Sequence, residues 1–185
     1  MKTIKFLTVL ILSTITFSAC SNDDDNPDPV NEEEVITTLI AQLTPQGGGT
    51  AITLTFQDLN GNISSNVSGA LAANTTYNGS LDLLNETESP AESITEEIEE
   101  EDDEHQFFFS ATNNVGTFAY TDSDDDGNPI GLAFTLTTGA ATNGSITIIL
   151  RHEPAKDATG VSDGDITNAG GETDISVTFN DVDVQ

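Results

Sequence analysis

The sequence predicts an all-β protein, one antiparallel β-sandwich of about eight to ten strands, and three observations lead there. Apolar and polar residues alternate in short runs such as Ile52-Thr53-Leu54-Thr55-Phe56, Ile130-Gly131-Leu132-Ala133-Phe134-Thr135-Leu136 and Asp174-Ile175-Ser176-Val177-Thr178-Phe179-Asn180. Successive side chains of a strand point to opposite faces, so a period of two with threonine on the wet side marks a half-buried antiparallel strand. These runs are divided by Gly, Asn, Asp and Pro, the residues of tight turns. Finally, the chain beyond residue 34 is about 150 residues long, enough for one domain with its own core.

The N-terminal element is of another kind. Lys2 and Lys5 precede an apolar run from Phe6 to Phe17. At ~12 residues that run is too short to span a bilayer, which needs about 20, but it suits the apolar part of a secretory leader. Ser18 and Ala19 then lead to Cys20, the single cysteine. A leader ending in small-small-Cys resembles the lipobox of bacterial lipoproteins, with Phe17 where an aliphatic residue is usual. The resemblance implies that residues 1–19 are a lipoprotein signal peptide and that Cys20 becomes the acylated N-terminus, palmitate among its chains. At ~0.8 kcal/mol per buried methylene, several chains make a stable membrane anchor. Acylation also accounts for a lone cysteine that has no disulfide partner.

Residues 20–34 continue as Cys-Ser-Asn-Asp-Asp-Asp-Asn-Pro-Asp-Pro-Val-Asn-Glu-Glu-Glu, with charge and proline but almost nothing to bury. This reads as an extended, solvated tether. It resembles the acidic tether of surface-exported Bacteroidota lipoproteins, which implies an outer-membrane anchor facing the cell surface, with the periplasmic face as the alternative. Once the leader is removed, only Arg151 and Lys156 stand against 32 acidic side chains. Such a surface repels nucleic acid and attracts cations.

Residues 35–185 form the expected sandwich domain. Val35–Leu43 and Thr50–Gln57 flank Pro45-Gln46-Gly47-Gly48-Gly49 and read as a hairpin. Further strands are expected near 63–70, 77–84, 106–110, 116–121, 130–138, 145–151 and 173–180. Leu71-Ala72-Ala73-Asn74-Thr75-Thr76-Tyr77 resembles the tyrosine corner of fibronectin type III and other immunoglobulin-like sandwiches, with Ala73 where proline is usual. In that motif the tyrosine hydroxyl bonds backbone a few residues upstream and pins a crossover between sheets. Ser93-Ile94-Thr95-Glu96-Glu97-Ile98-Glu99-Glu100 fits two conformations. Ser93 and Glu96 make a capping box and Ile94 and Ile98 share a helical face, yet both isoleucines also share a strand face and the glutamates repel at helical spacing. We read this segment as a β-hairpin leading to Phe107-Phe108-Phe109, with a helix as the alternative.

Two constellations offer metal chemistry. Asp122-Ser123-Asp124-Asp125-Asp126-Gly127-Asn128 has the front half of a calcium loop, with Asp122, Asp124, Asp126 and Asn128 as oxygen donors around the turn that Gly127 allows. The position of the bidentate glutamate is Ala133, so this is no EF-hand, and an acidic hairpin turn is the plain alternative. The other constellation holds the two histidines: Glu104-His105 precedes the triple-Phe strand and His152-Glu153 follows Ile146–Leu150. If those strand ends meet, two imidazoles and one or two carboxylates make a zinc or copper site; apart, they are two surface histidines. Gly160–Gly171 is a long Gly- and Asp-rich loop, suited to a binding face or to a loose connection.

Catalytic motifs are missing. No Gly-x-Ser-x-Gly elbow, phosphate-cradling glycine loop or free catalytic cysteine is present, and without tryptophan the aromatic platform for sugars is poor.

Val35-Ile36-Thr37-Thr38, Leu43-Thr44-Pro45-Gln46-Gly47-Gly48-Gly49, Glu104-His105-Gln106-Phe107-Phe108-Phe109, Leu150-Arg151-His152-Glu153-Pro154 and Gly164–Asp174 together look like a family of small flavobacterial lipoproteins. Its members often carry the label "type 1 periplasmic binding fold superfamily protein". The label names a two-lobed α/β fold, whereas the residues here predict a sandwich. The resemblance brings no catalytic residues. The expected function is therefore a non-enzymatic binding module on the outer membrane, held there by lipid. It would capture Ca2+ or Zn2+ beside a nutrient transporter, or another extracellular ligand. A structural or adhesive surface protein is the alternative.

Overall fold

The computed structural model describes residues 34–185; the expected signal peptide, the expected lipidation site Cys20 and the expected tether up to Glu33 lie outside the described residues. The ten strands are β1 (Thr38–Pro45), β2 (Ile52–Leu59), β3 (Asn62–Val67), β4 (Thr76–Asn85), β5 (Glu92–Ser93), β6 (His105–Ala111), β7 (Gly116–Tyr120), β8 (Ala133–Thr138), β9 (Thr142–His152) and β10 (Glu172–Val184). One helix, α1 (Ile94–Glu100), and a single 3-10 turn at Ile166–Asn168 complete the elements among the described residues. The larger sheet runs β3-β2-β1-β4-β8-β7, with β5 beside the end of β4; the smaller runs β10-β9-β6. All pairings between strands are antiparallel. The protein is thus the expected all-β sandwich.

Alternation decides which residues fill the space between the sheets. Along β4, Tyr77, Gly79, Leu81 and Leu83 point inward while Asn78, Ser80 and Asp82 face solvent. Along β9, Ile146, Ile148 and Leu150 point inward, opposite Ala111, Phe109 and Phe107 of β6. These rows, with Leu39, Leu54, Phe134, Leu136, Val177 and Phe179, form one core. Burying each such side chain contributes roughly 1.5–3 kcal/mol. The tyrosine corner closes as its motif predicts: the Ala72 N–H donates to the buried Tyr77 hydroxyl at 2.7 Å.

Residues 130–132 do not begin β8, although their alternation suggests it. They bridge the sheets, the Ile130 carbonyl accepting from Phe107 N–H and the Leu132 carbonyl from Leu81 N–H. Asp122 explains the interruption, since its two carboxylate oxygens take the N–H groups of Gly131 and Ala133 at 2.9 and 2.7 Å.

The hairpin expected at 93–100 is instead α1. Ser93 caps it, accepting from Glu96 N–H, and Ile94 and Ile98 are both buried. Burial of two isoleucines is worth roughly 3–6 kcal/mol, whereas like charges four residues apart on a helix cost a few tenths each. The apolar face therefore prevails over the glutamate repulsion.

The loop between β9 and β10 is neither loose nor open. Val161 and Ala169 are fully buried against Phe108, with Ile149, Ala158 and Ile166 around them, making a second small core on the outer face of the smaller sheet. The loop is pinned by Gln106 Nε2 donating to the Val161 carbonyl at 2.8 Å.

Candidate metal centre

The two histidines meet. His105 opens β6, His152 closes β9, and the register sets them directly opposite each other. Both continue the inward-facing rows of their strands, so the end of the core is imidazole instead of hydrocarbon. The rings stack with centroids 4.7 Å apart and 24° between planes, and the two residues are 0% and 5% exposed.

The tautomers follow from the neighbours. His105 Nδ1 lies 3.1 Å from the Glu101 carbonyl at the end of α1. A carbonyl only accepts, so Nδ1 carries the proton and Nε2 keeps its lone pair. His152 Nε2 lies 3.5 Å from Glu104 Oε2, so the carboxylate orients that ring as well. The remaining nitrogens, His105 Nε2 and His152 Nδ1, are buried and have no hydrogen-bond partner among the described residues. Ligating histidines are commonly held this way, with the second ring nitrogen on a carbonyl or carboxylate. Burial holds His105 below the ordinary histidine range, against the opposing pull of the Glu101 carbonyl, so the ring is neutral and able to ligate at neutral pH.

A third donor is one that sequence patterns missed. Asp174 offers a carboxylate oxygen that lies, with one atom of each histidine, in a group spanning no more than 4.8 Å. Its placement comes from a β-bulge. Thr173 pairs with Arg151 and Ile175 with Leu150, leaving Asp174 as the extra residue. A bulge breaks strict alternation and re-aims one side chain, here towards the imidazoles. Strand texture in the sequence shows no such break.

Gly171 sets how the chain enters β10. Its φ is +66°, and a Cβ there would fall 2.2 Å from the His152 carbonyl oxygen and 2.9 Å from that of Glu153. Only glycine lets the backbone approach His152 so closely.

The other two residues named from the sequence sit at the rim. Glu104 and Glu153 are exposed and form a second donor group with His152, again within 4.8 Å. Glu153 has φ of +49° and its N–H bonds the Glu104 carbonyl at 2.7 Å. A third group joins Glu34, Glu101 and His105. Burial together with a hydrogen bond to Glu97 pushes the Glu34 carboxyl up to about 8, helped by the charges of Glu97, Glu101 and Asp174. Five carboxyl groups around the two imidazoles make a region where a divalent cation would relieve repulsion.

Zinc holds nitrogen donors at about 2.0–2.1 Å in a tetrahedron, which places them about 3.3 Å apart. The three inner donors lie within 4.8 Å of one another, so a tetrahedral ion would draw them closer together.

The calcium reading of the Asp122–Asn128 loop meets a different arrangement. Asp122 is bonded to Gly131 and Ala133 as described. Asp124, 6% exposed, accepts from Asp126 and Asn128 N–H through Oδ1, and its Oδ2 lies 2.9 Å from Lys156 Nζ. Lys156 also donates to the Asp102 carbonyl. Burial alone would raise the Asp124 carboxyl, but Lys156 and the two N–H groups hold it below the usual aspartate range. Asp126 is exposed, Asn128 is half-buried, and these aspartates form no three-donor group among the described residues. The buried ammonium of Lys156 thus stands where a bound cation was expected, and the aspartates order the loop.

No family model, curated protein or solved structure matches this chain, so the assignment rests on the geometry.

Proposed function

We propose that this chain is a lipid-anchored outer-membrane protein, facing the cell surface, that captures a divalent transition-metal ion without acting on it chemically. The observation that carries the reading is the stacked His105–His152 pair, which has two buried ring nitrogens without a partner and forms a three-donor group with Asp174. A buried polar atom left without a partner costs about 1–3 kcal/mol, a cost that a ligated ion would remove. Nitrogen donors favour zinc or copper, whereas calcium takes six to eight oxygens. The acidic surface raises the local concentration of cations, and the exposed Glu104–Glu153 rim shares His152 with the inner donors, giving an ion a way in. The anchor and location rest on Cys20 and the acidic tether, and delivery to a neighbouring nutrient transporter is the role such placement suits.

Isothermal titration of the mature protein with zinc tests the binding. The expected result is one site tighter than ~10 µM, about −7 kcal/mol, that disappears in the His105→Ala, His152→Ala double variant. No binding, or binding indifferent to both histidines, would favour a structural or adhesive surface protein instead.

A further inference from the structure

We infer that Glu34, at the junction of tether and body, is the fourth ligand of the metal, so that an ion bound at the histidine pair also fastens the root of the tether. This rests on the proposed function and names a residue and a consequence that the histidine pair does not supply.

Three protein donors leave a tetrahedral ion with one open position. Around His105 two further carboxylates are in reach, since Glu34, Glu101 and His105 each offer an atom within 4.8 Å of the others. His105 is fully buried, and its Nε2 has no partner among the described residues. The two carboxylates differ. Glu101 is exposed, and its backbone carbonyl already orients the His105 ring. Glu34 is half-buried, hydrogen-bonded to Glu97, and close enough to Asp174 to sense its charge. It therefore lies beside His105, the histidine that the two donor groups share. Its backbone is also held: Ile36 N–H bonds the Glu34 carbonyl and Thr37 N–H bonds the Leu84 carbonyl, at 3.1 and 3.0 Å. A small swing from Glu97 to the ion completes the coordination without unfolding any strand.

Residues 20–34 are the segment read as the tether, so a Glu34–metal bond joins occupancy to the point where the body leaves it. The test is a zinc titration of the full mature protein in detergent, for wild type, Glu34→Gln and Glu97→Gln. Glu34→Gln is expected to weaken zinc binding by at least roughly tenfold, while Glu97→Gln, which removes only the carboxyl's partner, leaves it unweakened. As a second readout, cleavage by a glutamate-specific protease at residues 32–34 should slow on adding zinc in the wild type and not in Glu34→Gln. Wild-type binding with Glu34→Gln unchanged in affinity and protection overturns this inference alone. Equal weakening by both variants also overturns it, because packing would then explain the loss. Failure of the wild type to bind zinc overturns the proposed function and this inference with it.

Discussion

Glu34 carries a pH dependence that can be read directly. Its folded-state carboxyl is raised to about 8 from an ordinary 4.5, so the folded protein holds the proton more tightly than the unfolded chain does. The resulting stabilisation is fully present below 4.5 and is lost as pH rises towards 8. In the metal-free protein Glu34→Gln should match the wild type near pH 5 and exceed it near pH 8.5. After discounting for the solvent that reaches the group, the gain is on the order of 1 kcal/mol, or roughly 2–4 °C in Tm. Melting curves at the two pH values in the presence of a chelator decide it, and a constant difference would contradict the assignment. Tyr77 makes a simpler case. Tyr77→Phe removes the part-buried bond from the Ala72 N–H, and should cost about 0.5–1.5 kcal/mol by denaturant unfolding. At this scale the sequence was informative, because the Tyr77 corner and the Glu-His and His-Glu pairs are local patterns. Asp174 was not legible: Asp174-Ile175-Ser176-Val177 alternates like any strand, and the bulge depends on how β10 passes Gly171 and pairs with β9.

At the scale of elements, the entry of β10 and the loop before it shape the candidate centre. Gly171→Ala puts a methyl group against two carbonyl oxygens in a backbone conformation that alanine disfavours. We expect loss of zinc binding together with a drop in Tm of several degrees; a variant of unchanged stability and affinity would show that the approach to His152 is not required. The loop after β9 is clamped by Lys156 on Asp124, a pair whose side chains are 5% and 1% exposed. Removing one partner of such a pair strands a charge, so Lys156→Met should cost about 3–5 kcal/mol. The double variant Lys156→Met, Asp124→Asn should be more stable than that single one, as thermal unfolding of the set would show. This clamp gives the Asp-rich turn a positive charge of its own. An Asp-rich turn with glycine has the donors of a cation loop, but the cation is a lysine 32 residues further along the chain. The helix α1 was half legible: its capping box is plain in the sequence, but Ile94 and Ile98 suit a strand equally until burial against β4 and the core decides.

At the scale of the whole molecule, strand texture was enough to predict the sandwich. Nine expected strands have counterparts, the hairpin expected at 93–100 is a helix, and among the described residues only the two-residue β5 was added. Alternation is a local property, so a single chain displays it. Juxtaposition is not, and it took the pairing of β6 with β9 to join Glu104-His105 with His152-Glu153 across 47 residues of sequence. The outcome is an acidic sandwich whose core ends in two stacked imidazoles, with carboxyl groups, Glu34 among them, at its rim. The most direct measurement is anomalous diffraction at the zinc edge from crystals of the zinc-loaded protein. A peak is expected about 2.0–2.1 Å from His105 Nε2 and His152 Nδ1, with Asp174 in the same coordination sphere. A zinc-loaded crystal with no peak between the two rings, or with zinc only on exposed carboxylates, would contradict it.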